Sequence, residues 1–222
     1  MAEQRGGRWR EAWRIPGFRL ELLSSALLVV VMIWLAIRLL PMQEIRRGVV
    51  LTDPVLPWLD PMNTSWMVFL LLYSCLILAV VETSRYPEKL AMGFRAYGLL
   101  VLIRVLTVTL IPLEPPPDMI DLADPFLRLF WADGVLRKDL FFSGHSATAC
   151  LTALFVRSPW LKGFLALAAM TISILLLMQH VHYTIDVIFA PFFATFALQV
   201  ARTVGCYQEV LLEEEVEHLV EV

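Results

Sequence analysis

Two short stretches of this 222-residue chain hold side chains whose types and spacing could do chemistry. In LFFSGHSATACL, Leu140 to Leu151, the residues Ser143, Gly144 and His145 stand at the threshold of an otherwise apolar segment. In QHVHYTIDVIFAP, Gln179 to Pro191, His182 and Asp186 are four residues apart, which on a helix puts them on one face. A carboxylate so placed can accept a hydrogen bond from one imidazole nitrogen, fix the tautomer and leave the other nitrogen free to attack. Histidine is the side chain best suited to proton transfer in both directions, and His145 is available for it. A nucleophile, its orienting carboxylate and an acid–base group are thus available from two motifs. A single histidine at a helix start is most often a packing residue, so the reading depends on the elements that bring the motifs together.

Those elements are membrane helices. Hydrophobic residues make up 59% of the chain, and its mean hydropathy is +0.70, beyond what a soluble domain carries. With the roughly 20 apolar residues needed to cross a bilayer as the ruler, six spans appear: Phe18–Leu40, Thr64–Val81, Leu90–Leu113, Ser143–Val156, Trp160–Gln179 and Tyr183–Ala201, the fourth being short. The expected fold is an all-α integral membrane protein of six transmembrane helices. Residues 1–17 form an arginine-rich arm, 18–203 the membrane domain and 204–222 an acidic tail. The first apolar run is too long for the core of a cleaved signal peptide and reads as an anchor.

Arg5, Arg8, Arg10, Arg14 and Arg19 place the amino-terminal arm in the cytoplasm. Six spans then return the carboxyl end to the same side. His145, His180, His182 and Asp186 all fall at the outer rim, and this convergence raises a catalytic reading above a packing one. Arg46, Arg47, Arg137 and Lys138 dissent from the charge rule on that side. The tail LLEEEVEHLVEV reads as a solvated helix face. No basic footprint for nucleic acid appears, and Cys75, Cys150 and Cys206 suggest packing rather than a disulfide framework.

FSGHS and HVHYTIDVIFA resemble the two active-site motifs of the sphingomyelin synthase family, within the lipid phosphate phosphatase superfamily. VLPWLDPM and IRVLTVTLIPLEPPP resemble its two upstream motifs more loosely, so the likeness extends from Asp53 to Pro191. The resemblance implies a two-step displacement at the outer membrane face. His182 attacks the head-group phosphate of a glycerophospholipid, diacylglycerol leaves, and a lipid alcohol such as ceramide resolves the phosphohistidine. Asp186 orients His182, and His145 protonates the leaving oxygen and later deprotonates the acceptor. The substrate-binding set comprises Arg104, Asp139, Ser143, Gly144 and Tyr183. No metal or cofactor is implied, and the partners are the phospholipid donor, the lipid acceptor and the bilayer. The short arm suits a bacterial homologue in the inner membrane with its site facing the periplasm.

Particular residues leave alternatives open. Arg104 could lock helices through an ion pair or contact phosphate. Asp139 could orient His145 or cap the following helix. Ser143 and Gly144 could begin a helix whose N–H groups hold phosphoryl oxygens. The acids Asp118, Asp121, Asp124 and Asp133, with Phe126, Phe130 and Trp131, could greet a cationic head group or merely mark the interface. His180, His182 and Asp186 include zinc-ligand types, but on a helix residues two apart point about 200° apart, which opposes a shared ion. The superfamily's phosphatases carry an arginine six residues before the nucleophile, where this chain has Leu176. That departure favours a phosphodiester over a phosphomonoester. A phospholipase C-like hydrolase and a lipid phosphate phosphatase are the alternative enzymes. A non-catalytic transporter or assembly subunit is opposed by the clustering of ionisable groups at one rim. A homo-oligomer stays open.

Overall fold

The computed structural model describes residues 2–130 and 135–204. The acidic tail beyond residue 204, with Cys206, and the loop residues Trp131 and Asp133 lie outside them. Among the described residues seven α-helices run in order: α1 (Ala2–Arg14), α2 (Pro16–Gln43), α3 (Ser65–Thr83), α4 (Pro87–Leu110), α5 (Gly144–Phe155), α6 (Pro159–Met178) and α7 (Thr184–Thr203). Among the described residues there is no strand, only an isolated parallel bridge between Val49 and Leu113.

Local signals set the helix ends. Proline opens α2, α4 and α6, where its missing N–H costs nothing. The hydroxyl oxygens of Ser143 and Ser158 accept from the N–H groups of Ser146 (3.3 Å) and Leu161 (3.4 Å), capping α5 and α6. Asp186, on the first turn of α7, reaches back to accept from the Tyr183 N–H at 3.2 Å.

Five helices, α2, α3, α4, α6 and α7, are long and apolar enough to cross a membrane. Their outward faces carry Leu20, Leu27 and Trp34 on α2, Trp66 and Leu70 on α3, Trp160 and Ile174 on α6, and Phe192 on α7, all exposed. A continuous apolar girdle of this kind requires lipid as its solvent, and it is the surface of an integral membrane protein. The fourth expected span differs. At 12 residues α5 is about 18 Å long, short of a bilayer core of about 30 Å. The reason is that lipid never meets it: α3, α4, α6 and α7 pack around it, and none of its residues is exposed. Ala147, Ala149 and Ala153 allow this close approach. Its start lies against Arg104 and its end against Gly93, so α5 runs beside the middle of α4 and its first residue sits below the helix ends.

The arm expected before the first span is itself a helix, α1. Ala12 packs with Phe18 and Ala91, and the Trp9 indole donates to the Ser84 carbonyl at 2.8 Å. At the same end Arg95 pairs with Glu21 (2.5 Å) and donates to the Ala201 carbonyl (2.8 Å), tying α4 to α2 and α7.

Candidate active site

Two loops, residues 44–64 and the described residues 111–130 and 135–143, cover the opposite end of the bundle. They are joined backbone to backbone: Val49 N–H donates to Pro112 O (3.1 Å) and Glu114 N–H to Val49 O (3.0 Å). Gly48 permits the contact, because a Cβ there would meet the Leu113 backbone at 2.5 to 2.8 Å. The Tyr183 hydroxyl donates to Glu114 O (3.0 Å) and accepts from Leu51 N–H (3.2 Å), bridging both loops. Asp53 accepts from the Thr184 N–H (2.6 Å) and hydroxyl (2.8 Å). Burial alone would raise the Asp53 carboxyl, but donors from Leu56, Thr184 and Val55 hold it below the usual range. The start of α7 is thus anchored before any catalytic group is considered.

His182 and Asp186 meet there. His182 Nδ1 lies 3.2 Å from Asp186 Oδ2, with both side chains almost wholly buried. Shared helical face is not the cause: residues 179–183 form a turn, and Asp186 reaches back past the first residue of α7 to the imidazole. Burial pushes the His182 imidazole down. Asp186 opposes this through its hydrogen bond and charge, while the charges of Arg104 and His145 add to the lowering. Neutral imidazole is the nucleophilic form.

The two motifs are stitched together by the Ser143 N–H, which donates to the Asp186 carbonyl at 3.0 Å. One residue inside α5, His145 presents Nε2 to Asp124 Oδ2 at 3.8 Å and its ring edge-to-face to Phe69. Asp124 also accepts from the Tyr73 hydroxyl (3.0 Å) and the Phe126 N–H (2.7 Å). Burial would raise its carboxyl, but the facing imidazole and these two donors outweigh that and hold it below the usual range. His182 and His145 therefore each face a carboxylate of their own. Sequence reading grouped Asp124 with a head-group surface; the 21 residues separating it from His145 hid the pairing.

Asp139 faces neither His145 nor the cap of α5, which Ser143 provides. It faces Arg104, with NH2 to Oδ2 at 2.6 Å and Nε to Oδ2 at 3.2 Å. The guanidinium also donates to the carbonyls of Asp139 and Phe142, and it lies over the Phe142 ring. All three of its nitrogens are engaged, so the ion pair expected as one alternative for Arg104 is present. Gly144 packs on this group: a Cβ would come within 2.6 Å of Arg104 Cζ. Asp121 likewise pairs with Arg137 at 2.5 Å. Asp124 and Asp139 therefore face partners within the protein, whereas Asp121, though paired with Arg137, is exposed, as is Asp118.

A cavity of about 340 Å³ is lined by Arg104, Asp124, Asp139, Gly144 and His145. Its other walls are largely apolar, including Ile33 and Ile37 of α2 and Leu72 and Leu76 of α3. His182 and Asp186 do not line it. A second, almost wholly apolar cavity of about 200 Å³ shares Leu76, Tyr97 and Thr148 with the first and continues to Gly93 and Phe155. Leu176 is buried in an apolar cluster with Val68, Phe69 and Ile172.

The comparison with known proteins falls on this segment. Residues 138–203 match the family model described as PAP2 superfamily C-terminal. No curated protein and no solved structure matches the chain. The PAP2 segment, under a third of the chain, begins one residue before Asp139 and closes with α7, so it contains both histidine motifs and the helices that carry them. It supports a place in the lipid phosphate phosphatase superfamily, whose members are phosphatases and phosphoesterases, and hence an enzyme of phosphate-ester chemistry on lipids. Asp124, Arg104 and the cavity walls on α2 and α3 lie outside the PAP2 segment.

Proposed function

We propose that this protein is a membrane lipid phosphotransferase similar to the sphingomyelin synthases. It moves phosphocholine or phosphoethanolamine from a glycerophospholipid to a ceramide-like lipid alcohol and releases diacylglycerol. The observation that carries this reading is the bond between His182 Nδ1 and Asp186. An ionised carboxylate only accepts, so Nδ1 holds the proton and Nε2 keeps its lone pair for attack. In the first step Nε2 bonds to phosphorus, the bond from phosphorus to the glycerol oxygen breaks, and His145 gives that oxygen a proton. In the second, the acceptor oxygen bonds to phosphorus, the phosphorus–nitrogen bond breaks, and His145 takes the acceptor's proton. Asp124 holds the imidazolium form of His145 before the first step and after the second. The Gly144 and His145 backbone N–H groups at the start of α5 receive the phosphoryl oxygens.

Substrate class follows from the cations. Arg104 is committed to Asp139, and Leu176 leaves an apolar side chain six residues before His182. A phosphodiester, with one negative charge fewer than a phosphomonoester, suits such a site. The test is head-group-labelled phospholipid supplied with a panel of lipid alcohols. A new labelled lipid is expected. Label found only as water-soluble phosphoalcohol would make the protein a hydrolase, and faster cleavage of phosphatidate than of any diester would overturn the substrate class.

The paired cavities are the seat for an acyl chain, lined in part by α2 and α3 and closed by Gly93 and Phe155. A Cβ at Gly93 already meets the Phe155 ring at 3.3 Å. Gly93→Leu should therefore cut kcat/KM for long-chain donors by roughly tenfold or more while sparing short-chain donors. An acyl-length profile equal to that of the wild type would remove the lower cavity from substrate binding.

We place the site end outside the cell and both termini in the cytoplasm, as the arginine-rich arm requires. A cysteine at Leu129 should react with a membrane-impermeant thiol reagent in intact cells, and one at Arg157 should not. The reverse pattern inverts the orientation.

A further inference from the structure

His180 precedes the proposed nucleophile by two residues and has no part in the scheme above. Its backbone takes a left-handed conformation, φ 54°, one that histidine adopts more readily than most residues. Its N–H donates to Leu177 O at 3.0 Å as α6 closes. The ring is buried, at 5% exposure. Nδ1 lies 3.1 Å from the Pro117 carbonyl oxygen, and Nε2 lies 3.1 Å from the Leu59 carbonyl oxygen. Carbonyl oxygens only accept hydrogen bonds, and a neutral imidazole has one N–H. The neutral form would donate to one carbonyl and turn a lone pair on the other. The imidazolium alone donates to both.

We propose that His180 is a positioning residue that works as an imidazolium. It clamps Leu59 of the first loop and Pro117 of the second to the turn between α6 and α7, and so fixes the turn that presents His182. The effect on turnover rests on the reading of His182 as nucleophile; the protonation state does not.

The end of α6 favours the charge. His180 follows the carboxyl end of α6, where the helix dipole attracts cations. The first loop contributes Asp60, next to Leu59, and Asp53, which is bound to Thr184. The second contributes Asp118, next to Pro117, together with Asp121 paired to Arg137 and Glu114 paired to Lys138. The turn and α7 contribute His182 and Asp186. Gln179, the adjoining residue of the turn, is an uncharged amide that binds Thr64 and Ser65. The turn thus makes opposite demands two residues apart, with His180 charged and His182 neutral.

The experiment uses the full chain in lipid nanodiscs with its histidines labelled with nitrogen-15. At about pH 8, above the ordinary histidine pKa of about 6.5, one histidine should carry protons on both ring nitrogens, and that signal should vanish in His180→Gln. No doubly protonated histidine at that pH, or one that survives in His180→Gln, overturns the proposal. Should His180→Gln fail to fold, the wild-type signal is assigned by its persistence in His145→Ala, His182→Ala and His218→Ala. Turnover gives a second readout. His180→Gln should lower kcat and leave KM for the donor unchanged. A kcat equal to that of the wild type would overturn the positioning role while leaving the function of His182 and His145 intact.

Discussion

His182→Ala is expected to abolish head-group release, a loss of about 10⁴-fold or more, in a protein that still folds and inserts. The side chain is almost wholly buried against Asp186, so no neighbouring group stands ready to replace its Nε2. His145→Ala should be as damaging, because it removes proton transfer in both steps. Asp186→Asn should cost about 10³-fold or more. The amide keeps an acceptor for the Tyr183 N–H but loses the charge that holds the Nδ1 tautomer. Radiolabelled phospholipid turnover measures all three, with circular dichroism to verify the fold. The pH dependence has a definite sign. Because burial lowers the His182 pKa, the neutral nucleophile persists below the ordinary value, and the acidic limb of kcat/KM should lie below about 6.5. Asp186 raises that pKa, so Asp186→Asn should move the limb still lower as it reduces the rate. A limb that moved upward would contradict the assigned pairing.

The second large effect concerns Arg104. Its charge is buried among Asp139, the carbonyls of Asp139 and Phe142, and the face of Gly144. Asp139→Ala leaves a buried guanidinium without its counter-charge, a loss of about 3–5 kcal/mol. Midpoints of thermal unfolding should fall by about 10 °C. Gly144→Ala acts from the other side. Its methyl group would need space that an anchored guanidinium occupies, and yielding means breaking the bonds that hold Phe142 and Asp139. Both variants should lose turnover because α5 would no longer present His145 at its place. An Asp139→Ala protein as stable as the wild type would show that Arg104 is held by the carbonyls alone.

The six apolar runs could be read with boundaries within three residues of the helices, because lipid exposure and proline starts write themselves locally. What could not be read was non-local. The shortness of α5 follows from its enclosure by four helices, a fact of packing that hydropathy does not encode. Helix α1 was read as an arm because its Gly6–Gly7 pair and arginines carry no apolar run. The pairing of His182 with Asp186 was legible, although the geometry behind it is a helix start with a turn before it rather than one helical face. Asp124 was missed as the partner of His145, since its place is set by Tyr73 and the Phe126 N–H far along the chain from the motif. His180 seemed to face away from His182 on helical grounds. Its real constraint is a left-handed turn and two loop carbonyls.

The most direct measurement on the central claim is a rapid-quench trap of the reaction with phospholipid labelled in its head-group phosphate, made before the acceptor is added. The account predicts a burst of diacylglycerol equal to the amount of protein. It also predicts an acid-labile, base-stable phosphoramidate on the peptide that contains His182, discharged to a new lipid when the alcohol is supplied. Steady product formation with no covalent adduct on His182 would contradict it.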